Sequence, residues 1–352
     1  DYCFDKGTAA ENLAVGDTID VVNGHLICEK YIPKKNRKSH SGGAVKAKKS
    51  KVPVAPTFFE HADTEQLAYN LAAFKPGDLV EITLKMHGTS QRTGYLKVFK
   101  GMKRTFWDKI FRREGTEIYD WGYVSGTRRT VLDDFEGGFY GSNEFRKQYH
   151  DFFEGKLWKG ETVYYEVVGF THTGVPIMAD GSNKGLDKEF IKMYGETTRF
   201  SYGCEPNGKK VLYGEDDEGK FMITEEVPQS DVYVYRMTMT NEDGFVIDYT
   251  PDFMRYRCEQ MGVKTVQVFE KFTIPAKCKK PGEYVQAKAE KYYDGPDPVG
   301  KTHVREGVVC RILNRPKFAA FKHKNFSFKV IEGIAKDVAT APDMEEAQEV
   351  TE

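Results

Sequence analysis

The segment Lys85-Met-His-Gly88-Thr-Ser90 follows the alternating run Leu79-Val-Glu-Ile-Thr-Leu84, so a lysine closes a strand and a glycine stands three residues beyond it. A lysine at such a strand end can point into a cleft. Its neutral amine can attack the α-phosphorus of a nucleotide while pyrophosphate leaves in line. Gly88 lets the backbone turn away beneath a nucleotide with no side chain in the path. A lysine and a glycine at this spacing occur by chance in many chains, and the weight lies in what comes after. Arg128-Arg129 follow Tyr123-Val-Ser-Gly-Thr127, and Glu166 interrupts the apolar run Tyr164-Tyr-Glu-Val-Val-Gly169. Tyr235-Arg236 close Val232-Tyr-Val, Glu306 opens Glu-Gly-Val-Val309, and Lys322 and Lys324 lie in Phe321-Lys-His-Lys. Two residues apart on a strand, Lys322 and Lys324 face one side and can both reach phosphate oxygens. Taken singly, Glu166 fits an edge-strand surface, the lysine pair a solvated face and Tyr235 a core; chance does not readily supply all of them in this order.

A free lysine amine, with a pKa of about 10.4, is almost wholly protonated at neutral pH. Other cations and a metal ion around such a lysine would disfavour one more cation and free the amine.

These residues need strands to hold them. Leu79–Lys85, Thr162–Val168, Asp231–Met239, Gly307–Leu313 and Ala319–Lys324 are rich in Val, Ile, Tyr and Phe and alternate as a twisted antiparallel sheet requires. Ser142 is placed to cap a helix over 143–156, and Thr250-Pro251 to open one that Gly262 stops. The fold class expected is α+β, a catalytic domain of twisted antiparallel sheets with flanking helices. It spans 52–336, after a small β fragment over 1–33 and a basic flexible linker over 34–51, and before an acidic tail over 337–352. The fragment carries the turn Val15-Gly-Asp17 and the hairpin signal Asn23-Gly24. The linker holds eight Lys/Arg and no acid, suiting either a solvated connector or a strap for phosphates. Gly214-Glu-Asp-Asp-Glu-Gly219 reads as an exposed hairpin tip.

Lys and Arg number 52 against 53 Asp and Glu, so a polyanionic partner cannot be argued from overall charge and any basic surface is local. Aromatic residues make up 13% of the chain, enough to serve base stacking as well as a β-rich core. The six cysteines lack paired spacing, which fits reduced thiols in a cytoplasmic setting and gives no zinc framework. No apolar run is long enough to span a bilayer. A monomer is expected, in a cell's own cytoplasm or in a host's if the chain is viral.

In their order, these elements resemble motifs I, Ia, III, IIIa, IV and V of the covalent nucleotidyltransferase superfamily of ligases and capping enzymes, over residues 75 to 335. KMHGTS, EGVV and KHK resemble ATP-dependent RNA ligases, and the β fragment is similar to the N-terminal OB-fold module of one such family. The resemblance implies Lys85 as the nucleophile that carries AMP, with Gly88 and Ser90 beside the nucleotide, Ser90 near the ribose. It implies Arg128 on phosphate or the acceptor end, Tyr235 stacked on adenine, and Lys322 and Lys324 on the α-phosphate. Glu166 and Glu306 would hold Mg2+ or Mn2+, directly or through water. His87, His172 and His303 are left as structural or substrate-adjacent. The implied reaction joins 3′-hydroxyl and 5′-phosphate RNA ends, free or in a nicked duplex, through lysyl-AMP and RNA-adenylate. Alternatives are a GTP-dependent capping guanylyltransferase and a catalytically silent RNA-binding relative. Thr83 departs from the glutamate that many DNA ligases place two residues before the lysine, and fewer than thirty residues follow Lys324, leaving no room there for the downstream domain of DNA ligases and capping enzymes.

Overall fold

Alternation at period two dictates most of the architecture. The structure, a computed structural model, describes residues 21–22, 25–26, 55–61, 64–111, 113–132, 135–136, 142–216 and 219–332. The chain divides into two compact units, residues 1–45 with 342–351 and residues 46–341 with 352. In the first, β1 (Val21–Val22) and β2 (His25–Leu26) pair antiparallel across the Asn23-Gly24 signal. One such pair does not establish an OB module. The Val15–Asp17 turn, the basic segment 34–51 and the acidic tail 337–352 lie outside the described residues.

The second unit contains β3 (Glu65–Gln66), β4 (Leu79–Lys85), β5 (Thr89–Lys103), α1 (Phe106–Ile110), β6 (Thr116–Gly126), β7 (Val131–Leu132), α2 (Glu144–Phe153) and β8 (Glu161–Gly169). There follow β9 (Gly181–Ser182), α3 (Lys188–Tyr194), β10 (Thr197–Thr198), β11 (Lys209–Asp216), β12 (Gly219–Glu226), β13 (Ser230–Thr240) and β14 (Val246–Asp248). The described part closes with α4 (Pro251–Met261), β15 (Lys264–Thr265), β16 (Val268–Thr273), α5 (Pro281–Ala289), β17 (Gly307–Ile312), β18 (Ala319–Lys324) and α6 (Phe326–Ile331). Two sheets dominate. One has seven strands in the order β14-β13-β8-β5-β6-β7, with β15 also on β13; the other has five, in the order β16-β4-β17-β18-β3. Nearly all neighbours are antiparallel and helices are few, so the α+β expectation of antiparallel sheets with flanking helices describes the unit in its coarse form. The strands expected at Leu79–Lys85 and Ala319–Lys324 have those bounds; those at Thr162–Val168 and Asp231–Met239 are one residue longer at each end, and that at Gly307–Leu313 is one residue shorter.

Each sheet sorts its side chains by face. Val163, Tyr165 and Val167 of β8 join Val232, Val234 and Met237 of β13 in a core closed by Phe145 and Phe153 of α2, Met254 and Met261 of α4, and Phe328 and Ile331 of α6. Val80 and Ile82 of β4, Val308 and Cys310 of β17 and Phe321 of β18 pack on Val285 and Ala289 of α5. The opposite faces carry Ser90, Arg92, Tyr164, Glu166 and Arg236 on the larger sheet, and Glu81, Thr83, Lys85, Arg311, Lys322 and Lys324 on the smaller.

Local signals set the helix ends unevenly. Thr250 Oγ1 accepts from the Phe253 amide at 3.4 Å, Pro251 occupies the first turn and Gly262 ends α4, as its sequence predicts. The helix expected over 143–156 is shorter. Asn143 takes the N-cap position of α2 without a side-chain cap, and Ser142 Oγ accepts from the Glu144 amide at 3.2 Å. The hairpin expected around 214–219 forms, with Asp216 opposite Gly219.

Candidate active site

The lysine-to-glycine segment is where the chain leaves one sheet for the other: β4 ends at Lys85 in the five-stranded sheet and β5 begins at Thr89 in the seven-stranded one. Gly88 makes that crossing possible. A Cβ there would lie 2.3 Å from the Val167 carbonyl oxygen and 2.9 Å from Glu166 Cγ, so any side chain would push the crossing off β8.

Register does the rest. Lys85 of β4 stands opposite Gly307 of β17, and Gly307 stands opposite Lys324 of β18, a row of lysine, glycine and lysine across three strands. Gly307 has φ +149, and a Cβ on it would come within 2.1 Å of the His323 carbonyl oxygen. The two lysines converge on Glu306, which is fully buried. Lys85 Nζ and Lys324 Nζ each lie 2.9 Å from Glu306 Oε1. Lys324 also reaches Glu332, just beyond α6, at 3.1 Å, and His87 Nδ1 lies 3.9 Å from Glu306 and 3.8 Å from Glu332. His87 is walled edge-on by Phe200 and Phe328, with centroids at 4.6 and 4.8 Å, and its backbone amide donates to Tyr202 Oη at 2.6 Å. Burial, then the nearby carboxylates Asp297 and Glu306, raise the Tyr202 hydroxyl well above the usual tyrosine value, so it stays protonated.

The facing sheet supplies a different charge pattern. Ser90 Oγ and Tyr235 Oη hydrogen-bond at 3.0 Å, with Tyr235 at the bulge between Val234 and Arg236. Glu166 is cross-strand partner to both Ser90 and Tyr233 and is buried. Beyond them, Arg236 pairs with Asp248 through Nε at 2.6 Å and Nη2 at 3.0 Å, and Arg311 of the other sheet approaches the same carboxylate at 3.8 Å. Both guanidiniums lie over Phe318, at 4.4 and 4.8 Å. His61 packs on Tyr235, Tyr164 and Phe318, with centroids at 5.1, 5.5 and 5.9 Å. Its enclosure, then the charges of Arg236, Arg128, Arg92 and Arg311, hold it well below the usual histidine pKa and therefore neutral. Here cations outnumber carboxylates, an arrangement suited to phosphate oxygens.

Of the residues expected from sequence, the structure gathers Lys85, Lys324 and Glu306 in one ion cluster and Ser90 with Tyr235 in one hydrogen bond. Gly88 lies against Glu166, Lys322 shares a strand face with Lys324, and Arg128 is buried with its carbonyl accepting from Arg92 Nη1. Residues that sequence reasoning does not assign are His61, Arg92, Arg236, Arg311, Phe318 and Glu332, and it gives His87 no role beyond a structural or substrate-adjacent one. Arg236 was in view, directly after Tyr235; nothing in sequence links Glu332 to Glu306. His303 is fully buried, and desolvation brings its imidazole down to about 4.

Among the described residues, His87, Glu306 and Glu332 bring ligand atoms within 4.8 Å of one another, and Glu166 does not join that group. Two carboxylates and an imidazole fit a divalent cation, manganese better than magnesium, because magnesium prefers oxygen ligands throughout.

No family model and no curated protein matches the chain. Among solved structures it is similar to Naegleria gruberi RNA ligase. A lysine-to-methionine mutant with AMP and Mn gives TM-score 0.42 and 14% identity over 78% of this chain and 58% of that one. An arginine-to-alanine mutant with ATP and Mn gives 0.41 and 15% over the same shares, and the ligase with PPi gives 0.40 and 15%, again over 78% and 58%. The chain thus spans less than two thirds of the length of these neighbours.

Proposed function

We propose that the chain is an ATP-dependent RNA ligase in which Lys85 becomes adenylated and AMP then passes to an RNA 5′-phosphate. The observation that carries this reading is the shared carboxylate: two lysines from strands flanking Gly307 meet one oxygen of buried Glu306. A carboxylate at this distance favours the ammonium. With two ammonium groups on one oxygen, however, Lys85 can lose its proton and Glu306 stays paired with Lys324, so deprotonation strands no buried charge.

The neutral amine attacks the α-phosphorus of ATP and pyrophosphate leaves. Lys322 and Lys324 take the negative charge that grows on the α-phosphoryl oxygens, and Arg128 and Arg236 bind the more distal phosphates. Tyr235, fixed by Ser90, stacks on adenine. A divalent ion held by Glu306 with His87 and Glu332, or by Glu166, would supply further positive charge there. The AMP is then transferred to the 5′-phosphate and displaced by the 3′-hydroxyl.

Incubation with ATP and Mg2+ or Mn2+ tests this. An adduct heavier by AMP, located on Lys85 by mass spectrometry and absent with GTP, is expected; an adduct formed with GTP instead identifies a guanylyltransferase. Lys85→Ala is expected to form no adduct yet still to seal a nick carrying a ready-made 5′-adenylate. Absence of any adduct on the wild-type chain overturns the reading.

A further inference from the structure

β5 and β6 run on together well past their neighbours. β8 pairs with β5 only over Thr89–Gly94, whereas the pairing of β5 with β6 continues to Lys103 opposite Thr116. From Tyr95 and Tyr123 outward the two strands form an arm that α1 closes. Leu96 and Val98 at its base are buried with Phe58, but further out a two-stranded ribbon has little core to build and bulky apolar side chains remain in water. Yet residues 95–123 hold eight aromatic residues, two of the chain's three tryptophans among them.

Their arrangement is specific. On one face Tyr95 and Tyr123 stack at 4.5 Å and 9°, and Lys97 and Lys159 sit over Trp121 at 4.9 and 5.5 Å. At the tip, a capping box between Thr105 and Asp108 fixes α1. The tip holds out Phe106, Trp107 and Phe111, which are 71%, 62% and 60% exposed. Trp107 and Phe111 are stacked at 6.0 Å and 17°, and the Arg113 guanidinium lies 5.5 Å over Phe111. Residues 95–123 carry seven Lys/Arg against four Asp/Glu, in a chain whose net charge is −1. The arm is a local cationic surface that the overall balance conceals.

We infer that this arm binds single-stranded RNA, its tip rings stacking on bases and its lysines and arginines pairing with phosphates. A site for another protein would gather the apolar groups into one patch with a polar rim. Here cations lie over rings, and two ring pairs, Tyr95 with Tyr123 and Trp107 with Phe111, are near parallel, a platform on which bases stack irrespective of sequence. The inference deepens the RNA ligase reading, which it takes as its premise, by naming where the RNA strand lies outside the nucleotide cleft.

The test uses the full chain and a labelled single-stranded RNA oligonucleotide with a 5′-phosphate. Trp107→Ala and Phe111→Ala are each expected to weaken RNA binding by roughly five- to a hundredfold without changing its salt dependence. Lys97→Glu is expected to weaken binding and to flatten the salt dependence. Trp107→Phe restores most of the affinity, and all four variants form the protein–AMP adduct at the wild-type rate. RNA affinity unchanged in the alanine variants overturns the inference, as does an unchanged affinity accompanied by loss of self-association, which makes the tip a protein contact. If the wild type forms no adduct but the arm variants still lose RNA, the ligase reading fails and the arm stands.

Discussion

Glu161 and Glu306 are both fully buried, and both face cations. Glu161 is held by the Arg257 fork through Nε at 2.8 Å and Nη2 at 2.7 Å, by the Tyr249 hydroxyl at 3.0 Å and by the Trp158 amide at 2.8 Å. Its donors are planar and directional, and each occupies a fixed place around the two oxygens. Glu306 is held by two lysines, point charges on flexible stems, with His87 further off. The first arrangement braces β8 against α4. In the second, one lysine can give up its contact while the other keeps the carboxylate paired, so a glutamate held by an arginine fork makes a brace and a glutamate held by two lysines makes an exchangeable charge.

The sharpest way to break that comparison is to disturb the pairing of each carboxylate. Glu306→Gln is expected to cut the rate of protein–AMP formation by about a hundredfold or more, measured by adduct mass over time, because it unbalances the lysines that the proposed reaction uses. Arg257→Ala acts on the brace instead. It leaves Glu161 buried without its fork and is expected to cost about 3–5 kcal/mol in denaturant unfolding, while protein that remains folded still forms the adduct. If the Arg257 variant lost adduct formation at full stability, the two carboxylates would not differ in kind.

A third carboxylate sharpens the contrast with a smaller effect. Asp297 is fully buried, accepts from the Val299 amide at 2.8 Å, and has no ion-pairing cation among the described residues. Burial pushes its carboxyl up to about 7. The folded protein therefore keeps a proton that the unfolded chain releases, and this contribution to stability falls as pH rises from about 4 to about 7. His303 acts oppositely over the lower part of that span: it is held down to about 4, so its contribution rises towards pH 6.5. Asp297→Asn removes the falling contribution, and its unfolding free energy is expected to rise with pH across this interval more steeply than that of the wild type. Parallel pH profiles for the two proteins would place the titration elsewhere.

Strand positions were legible because alternation is a local signal, and β4, β8, β13, β17 and β18 stood where apolar periodicity puts them. The start and stop of α4 were legible for the same reason, since Thr250, Pro251 and Gly262 act within a turn of themselves. α2 began a residue late because two adjacent polar residues, Ser142 and Asn143, compete for its start. The reach of Lys85 and Lys324 towards Glu306 was hidden, because it depends on cross-strand register and not on spacing along the chain. His61, Arg92 and Arg311 come from separate segments and meet only after folding, and Glu332 gains its place from the way α6 returns to β18.

The row of lysine, glycine and lysine also works as a fingerprint. Because it is written across three antiparallel strands, its members are set by cross-strand register, and a change of loop length alone does not erase it. Adding one methyl group at Gly307 would, by driving the strand off the His323 carbonyl and parting the two lysines. A search of folded chains by cross-strand neighbours, asking only for two lysines on either side of a glycine preceded by a buried glutamate, would therefore recover this architecture where alignment of sequences does not.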